Sequence, residues 1–453
     1  MQQRQIYTSS RRRVGRLALI ALVGASVLGC ATATASPSER PTNSAVSPGV
    51  ALSPTATSTT STASSKVPST ATSTKGAWSG LSWSTPSTFP DAAFIDDIVA
   101  WNGKLIAAGE IQNGTNQDAA VWDSSDGGTT WARLDHDPTT FADSRIQGIL
   151  TTTSGLAAWG SVGEPVCTGQ GEGMACGPFP IMLWTSPDGA TWKRIADVSM
   201  FKGATIAGVT ISAQGLLAVG DTGWDKPAIW VSGTGAAWER QTLSSATFKD
   251  ANFTGVRAAT LGYLLAGGVG NSAPTSGGVF LPDTGVAAVW WSPDGRTWTK
   301  GIVNRTDGIG SSLGHIYVGA GGMVAIGSAS GAKTATAWTS TDGKTWQPIA
   351  NAQTYAGVPT PAPGVPSIPS ITIIDDGTHL LAVDDQTVVT VWISSDGLAW
   401  RQIAVSGNAD SIPRSEAQGQ LIGGIFQVPG GLIMVGQQAS SPQIEIWRAI
   451  ASS

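Results

Sequence analysis

One short string recurs with an aspartate near its centre: Ser124-Ser125-Asp126-Gly127, Ser186-Pro187-Asp188-Gly189, Ser292-Pro293-Asp294-Gly295, Ser340-Thr341-Asp342-Gly343 and Ser394-Ser395-Asp396-Gly397. Five carboxylates beside five hydroxyls could bind a metal or act as an acid/base array. Either use needs convergence: a metal takes several ligands at one point, and paired-carboxylate chemistry takes two across one cleft. These copies are a whole repeat or more apart. A sixth, Ser232-Gly233-Thr234-Gly235, has threonine in place of the acid. The string therefore reads as a turn. Aspartate accepts hydrogen bonds from the amides ahead of it, glycine takes positive φ, and the serine hydroxyl adds a local bond.

Other reactive residues are few. Cys167 and Cys176 share the stretch 161–180, and outside the cytoplasm such a pair is expected to form a disulfide. His136, His315 and His379 are scattered, so neither a metal nor a cofactor is expected. Candidate binding residues are the loop Trp224-Asp225-Lys226, His136 between Asp135 and Asp137, and Arg414 with Glu416 after Pro413. Arg145, Arg257 and His315 are expected near the starts of inner strands, where they could approach a central channel. Each has a plainer alternative: a packed loop tryptophan, a solvated turn, a surface ion pair, or a paired structural role.

The elements that position these residues follow from the tryptophans. Pairs frame each turn: Trp122 and Trp131, Trp184 and Trp192, Trp230 and Trp238, Trp290 and Trp298, Trp338 and Trp346, Trp392 and Trp400. Upstream of each hairpin runs an apolar strand that usually ends in glycine, at 104–109, 156–160, 216–220, 263–267, 323–327, 379–383 and 432–436; the sixth lacks the glycine. That makes seven strands and six complete hairpins. The seventh hairpin starts at Trp447, and Leu81-Ser82-Trp83-Ser84 looks like its detached second half. Repeats of about fifty residues with four strands each are the mark of a β-propeller. The expectation is an all-β fold: a seven-bladed β-propeller of four-stranded antiparallel blades over 77–453, its last blade closed by the N-terminal strand. First-to-second turns such as Thr152-Thr153-Ser154-Gly155 are short and share a face with the aspartate turns. The long segments 161–180, 268–285, 301–310, 351–369 and 406–418 emerge opposite, where binding residues are expected.

The chain's start is different. Arg11–Arg16 precede a thirteen-residue apolar run that ends Val27-Leu28-Gly29-Cys30. Too short to span a bilayer, it has the layout of a secretory signal over 1–29. Residues 30–76 are rich in Ser, Thr, Ala and Pro and cannot bury enough apolar surface to order themselves; a disordered tether is expected. Net charge is −5, but five arginines and no acid precede Cys30, leaving 21 basic against 31 acidic residues beyond it. An acidic body argues against a nucleic-acid partner.

Two resemblances add expectations. Val27–Cys30 resembles the lipobox of bacterial lipoproteins, which implies lipidation of Cys30 and anchorage on the extracytoplasmic face of the cell membrane. The tryptophan-framed string resembles the Asp-box (BNR) repeat of the sialidase-like propellers, carried here by Ser124, Asp126 and Trp131; Ser186, Asp188 and Trp192; Ser292, Asp294 and Trp298; Ser340, Asp342 and Trp346; and Ser394, Asp396 and Trp400. Only the first copy has the full spacing; the others are one residue shorter. Sialidases also carry an Arg-Ile-Pro motif, an arginine triad and a Tyr–Glu pair. Here Ile412-Pro413-Arg414 has the wrong order, and of the tyrosines beyond the signal region, Tyr263, Tyr317 and Tyr355, the first two lie in apparent strands with no nearby Glu in sequence. No catalytic residue is assigned. The expected function is a monomeric, membrane-anchored binding module for an envelope protein or glycan. The alternatives are a glycoside hydrolase and an assembly factor similar to the photosystem II assembly propeller, although that family's arginine-rich patch is not reproduced by the sparse arginines.

Overall fold

Strands form here because short runs of apolar and β-branched residues are broken every few positions by glycine and by Asx or Ser turns. The computed structural model describes residues 78–452, apart from 115, 136, 166, 169–174, 213, 224–225, 261, 271–284, 305–310, 330–335, 350–370, 385–388, 414–418 and 439–442. The fold is all-β, with several four-stranded antiparallel sheets in chain order, consistent with a β-propeller. The first sheet is Ala92–Trp101, Lys104–Asn113, Asn116–Ser124 and Ala132–Arg133. The second is Ser144–Thr152, Gly155–Val162, Ile181–Ser186 and Lys193–Arg194. The third (205–240) and fourth (251–300) repeat this plan, and the fifth (311–348) gains Ile302–Val303 as a parallel edge. Apart from the two-stranded hairpin of Cys167–Thr168 and Ala175–Cys176, the remaining strands form one nine-stranded sheet. In it, Gly80–Trp83 pairs antiparallel with Glu445–Ser452 and parallel with Arg401–Gly407. Six of the seven apolar stretches expected upstream of the hairpins fall within second strands of this kind, and the sixth in order, 379–383, begins one residue before its strand Leu380–Asp384.

The core lies between consecutive sheets. Ile106, Ala108 and Val121 of the first pack with Ile146, Ile149, Leu156 and Trp184 of the second. Second strands are covered on both faces, so their pattern is continuous rather than alternating: Leu216, Leu217, Ala218 and Val219 are all buried.

The glycine closing most of these strands has a steric cause. The register slips by one residue in five first strands, at Ile95/Asp97, Ile146/Gly148, Ile206/Gly208, Phe253/Gly255 and Leu313/His315. Each slip is a β-bulge. Opposite the residue before it stand Gly109, Gly160, Gly220, Gly267 and Gly327. The bulge turns the preceding carbonyl inward: a Cβ on Gly160 would sit 1.8 Å from the Arg145 oxygen, and one on Gly267 1.9 Å from that of Asn252. Asp384 holds the matching position in the sixth repeat, and its strand pairs with Ile371–Asp375 without a slip.

Candidate functional site

The serine–aspartate turns join third to fourth strands, and their polar atoms are engaged locally. The Ser292 hydroxyl accepts from the Gly295 amide at 2.8 Å and donates to Asp294 Oδ1 at 3.0 Å. That same oxygen accepts the amides of Arg296 and Thr297 at 2.8 and 2.7 Å. The copies centred on Asp188, Asp342 and Asp396 repeat the pattern. In the first copy the hydroxyl and amide of Thr130 lead the donors that hold Asp126 far below the ordinary carboxylate range. In Asp188 the Thr191 amide leads; in Asp294 and Asp396 partial burial opposes, and amide donors prevail. Where threonine replaces the acid, Ser232 still accepts the Gly235 amide at 2.8 Å. Carboxylates held anionic by backbone donors are poor general acids. Among the described residues, no three His, Cys, Asp or Glu are grouped to hold a metal.

The paired tryptophans have separate tasks. The second closes its own turn: the indole N–H of Trp192 donates to the Gly189 carbonyl at 3.0 Å, and that of Trp400 to Gly397 at 2.9 Å. The first reaches back to the segment that enters its sheet: Trp184 donates to Thr140 O at 2.8 Å and Trp290 to Thr247 O at 3.0 Å. Four of the entering segments also place a phenylalanine against both rings. Phe141 lies 5.9 Å from Trp184 and 6.2 Å from Trp192; Phe248 lies 5.7 Å from Trp290 and 6.3 Å from Trp298. Phe89 and Phe201 do the same in their sheets. Two residues after three of these four phenylalanines stand Asp91, Asp143 and Asp250 with positive φ, and Gly203 takes that place in the other. This Phe-x-Asp/Gly entry motif was available in the sequence, but the more conspicuous tryptophan spacing hid it.

First-to-second turns lie against these aspartate turns. At Gly155 an added Cβ would meet the Ser186 carbonyl at 2.0 Å, and at Gly262 that of Ser292 at 2.2 Å. First strands therefore begin at the opposite end, and Arg145, the second residue of Ser144–Thr152, is there. Asn116, Gln117, Asp143, Ser144, Arg145, Ser161, Gly163 and Glu164 line a polar crevice of about 30 Å³. Arg145 Nη2 donates to Gln117 Oε1 at 2.6 Å, and its Nε lies 3.9 Å from buried Glu110. The guanidinium also sits 5.8 Å from the centroid of Phe179, a cation–π contact. Both ends of the neighbouring insertion are fixed: Val162 N–H donates to Pro180 O at 2.9 Å, and Gly163 N–H to Asp143 O at 2.7 Å. Within it, Cys167–Thr168 and Ala175–Cys176 form a two-stranded hairpin closed by the Cys167–Cys176 disulfide.

Of the other nominated residues that are described, none lines this crevice. Arg257 is the seventh residue of Ala251–Ala259, so it stands near the strand's end and not its start. The strand begins at Ala251 because the short helix and left-handed Asp250 bring the chain in earlier than the apolar pattern indicated. Arg257 pairs with Asp375 from a different sheet; burial raises the Asp375 carboxyl while Arg257 pulls it down. His315 lies mid-strand, its ring 6.3 Å from that of Tyr317. Lys226 is exposed. Tyr263 is buried, and its hydroxyl accepts from Ser212 at 2.5 Å and donates to Gly215 O at 3.1 Å, a structural lock beside the aspartate-turn end. Cys30, His136, Trp224, Asp225, Arg414, Glu416 and Tyr355 lie outside the described residues, as do most of the long segments expected on this face. Sequence reasoning missed Gln117, Phe179 and Glu110; Glu110 alone left a signal, as a carboxylate directly after the glycine of an apolar strand.

No family model matches the chain, and no curated protein matches it. Solved structures similar to it include a Trypanosoma rangeli sialidase in complex with sialic acid, 12% identical over 78% of this chain, with TM-score 0.36. The chain spans about half of that protein's length, 53%. A PL25 ulvan lyase is 12% identical over 81% of this chain and 94% of its own, with TM-score 0.45. The β-propeller domain of the Trilobed protease from Pyrococcus furiosus is 10% identical over 80% and 94%, with TM-score 0.39.

Proposed function

We propose that this chain is a lipid-anchored, extracytoplasmic propeller of seven blades that binds an envelope glycan or protein through the face opposite its serine–aspartate turns. Four lines support the closed seven-bladed ring. Gly419–Val428 packs on Ala92–Trp101, as each first strand packs on the next. Val428, Ile433 and Val435 share a core with Ile95 and Leu105. Gly80–Trp83 adds a fourth strand to the last three. In that pairing Trp83 stands opposite Ala449, as the second tryptophan of every other hairpin would stand. The Val27–Cys30 string supports the anchor, and its tether of about 46 residues would average roughly 40 Å end to end as a flexible coil.

The observation that carries the binding reading is the Arg145 crevice, a mixed polar site at the end where the chain's insertions emerge. The body's acidity favours a partner other than nucleic acid, and a monomer suffices for this site. Capture by the full-length protein from envelope extract, together with a glycan array, tests the reading. A specific partner or saccharide is expected; turnover of a fluorogenic sialoside or xyloglucan would overturn it in favour of a hydrolase. For the anchor, Cys30→Ser is expected to release the protein from the membrane fraction, and a variant that stays there refutes lipidation.

A further inference from the structure

We infer that the Arg145 crevice takes the hydroxyl groups of an uncharged saccharide and discriminates against acidic ones; this rests on the binding reading above. Arg145 is not a bare cation. Gln117 Oε1 occupies one of its N–H groups at 2.6 Å, and the Glu110 carboxylate lies 3.9 Å from another nitrogen. Asp143 and Glu164, both exposed, line the same space. One guanidinium therefore stands among three carboxylates. An anionic ligand entering the crevice would meet Asp143 and Glu164 on its walls and a guanidinium already shared with Glu110, and like charges repel by an amount that salt screens only in part. A simple cation would meet the guanidinium instead. A hydroxyl suits both partners, because it accepts from a guanidinium N–H and donates to a carboxylate. Two neighbouring hydroxyls on one sugar edge can bridge Arg145 to Asp143 or Glu164. The crevice is small, about 30 Å³, with room for a pair of hydroxyls. The sugar's body would remain outside, next to Glu164.

The test is calorimetric titration of the full chain with neutral gluco-, manno- and galacto-oligosaccharides and with uronic-acid or sialylated counterparts. A neutral saccharide is expected to bind, and its acidic counterpart to bind at least tenfold more weakly at low salt, the gap narrowing as salt rises. Arg145→Lys keeps the charge but loses the planar fork. Asp143→Asn keeps the left-handed backbone, which asparagine tolerates. Each is expected to weaken neutral binding at least tenfold with an unchanged thermal midpoint. Tighter binding of an acidic saccharide, or neutral binding that neither variant alters, overturns the inference and leaves the binding reading standing. Failure of every saccharide to bind overturns the inference too, and capture of an envelope protein then decides the broader reading separately.

Discussion

At the scale of the residue, the same chemistry that suggests a reactive array is spent on the backbone. The Asp294 carboxylate takes two successive amides, and Ser292, fully buried, takes the amide of Gly295. Both were readable from sequence, because an Asx–Gly pair has few other local uses. The glycines of the second strands were readable as a repeat but not as a mechanism. Their need becomes apparent only when the bulge in the paired strand is placed, since it is the Arg145 carbonyl that fills the space a Cβ would take at Gly160. Gly160→Ala is therefore expected to cost about 1–3 kcal/mol, as forced overpacking does. Gly233→Ala, where a Cβ would meet nothing within 4 Å, should stay within about 0.5 kcal/mol. Denaturant midpoints of the two variants check the contrast; equal losses would mean that the bulge is not the cause.

At the scale of the element, each of the first four sheets is fastened to its entering segment by an aromatic clamp. Phe141 is buried between Trp184 and Trp192, while the Trp184 indole holds the Thr140 carbonyl. The clamp joins a short connection to the third strand and the following turn, elements more than forty residues apart in sequence. Phe141→Ala should cost about 3–5 kcal/mol, the range for a buried aromatic removed from a core. Near-ultraviolet circular dichroism should report the loss through the tryptophans, and the Trp184 band should shift more than the far-ultraviolet signal. Retained stability in Phe141→Ala would make the indole hydrogen bonds, and not the ring stack, the fastening. The tryptophan half of this clamp was legible in sequence because its spacing is regular. The phenylalanine half was less legible because its spacing to the tryptophans varies, although Phe89, Phe141, Phe201 and Phe248 all stand just before a first strand.

At the scale of the whole molecule, five aspartate turns titrate as a set. Their carboxyls lie below the ordinary value near 3.8 because folded-state donors favour the anion. A carboxylate whose pKa is lower folded than unfolded contributes stability that is complete above the unfolded value and is lost as pH falls through the folded one. Thermal midpoints should therefore be level near neutrality and fall steadily below about pH 4. Asp221 and Asp375, raised by burial, act in the opposite direction and soften the fall. Replacing Asp126, Asp188, Asp294, Asp342 and Asp396 together by asparagine should flatten the acid limb; an unchanged limb would place the acid sensitivity elsewhere.

Local spacing alone was enough for the repeat, the turn chemistry and the all-β class, because these rest on interactions only a few residues apart. The tertiary structure decided which residues meet across repeats. Arg145 and Gln117 belong to consecutive sheets, 28 residues apart, and Arg257 meets Asp375 across 118 residues. Such pairings depend on where a bulge shifts one strand by a residue and on which sheets face each other, and no local pattern encodes either. Arg145 could therefore be nominated from its place at a strand's start, while the partners that make its crevice mixed in charge became visible only when the two sheets were packed together.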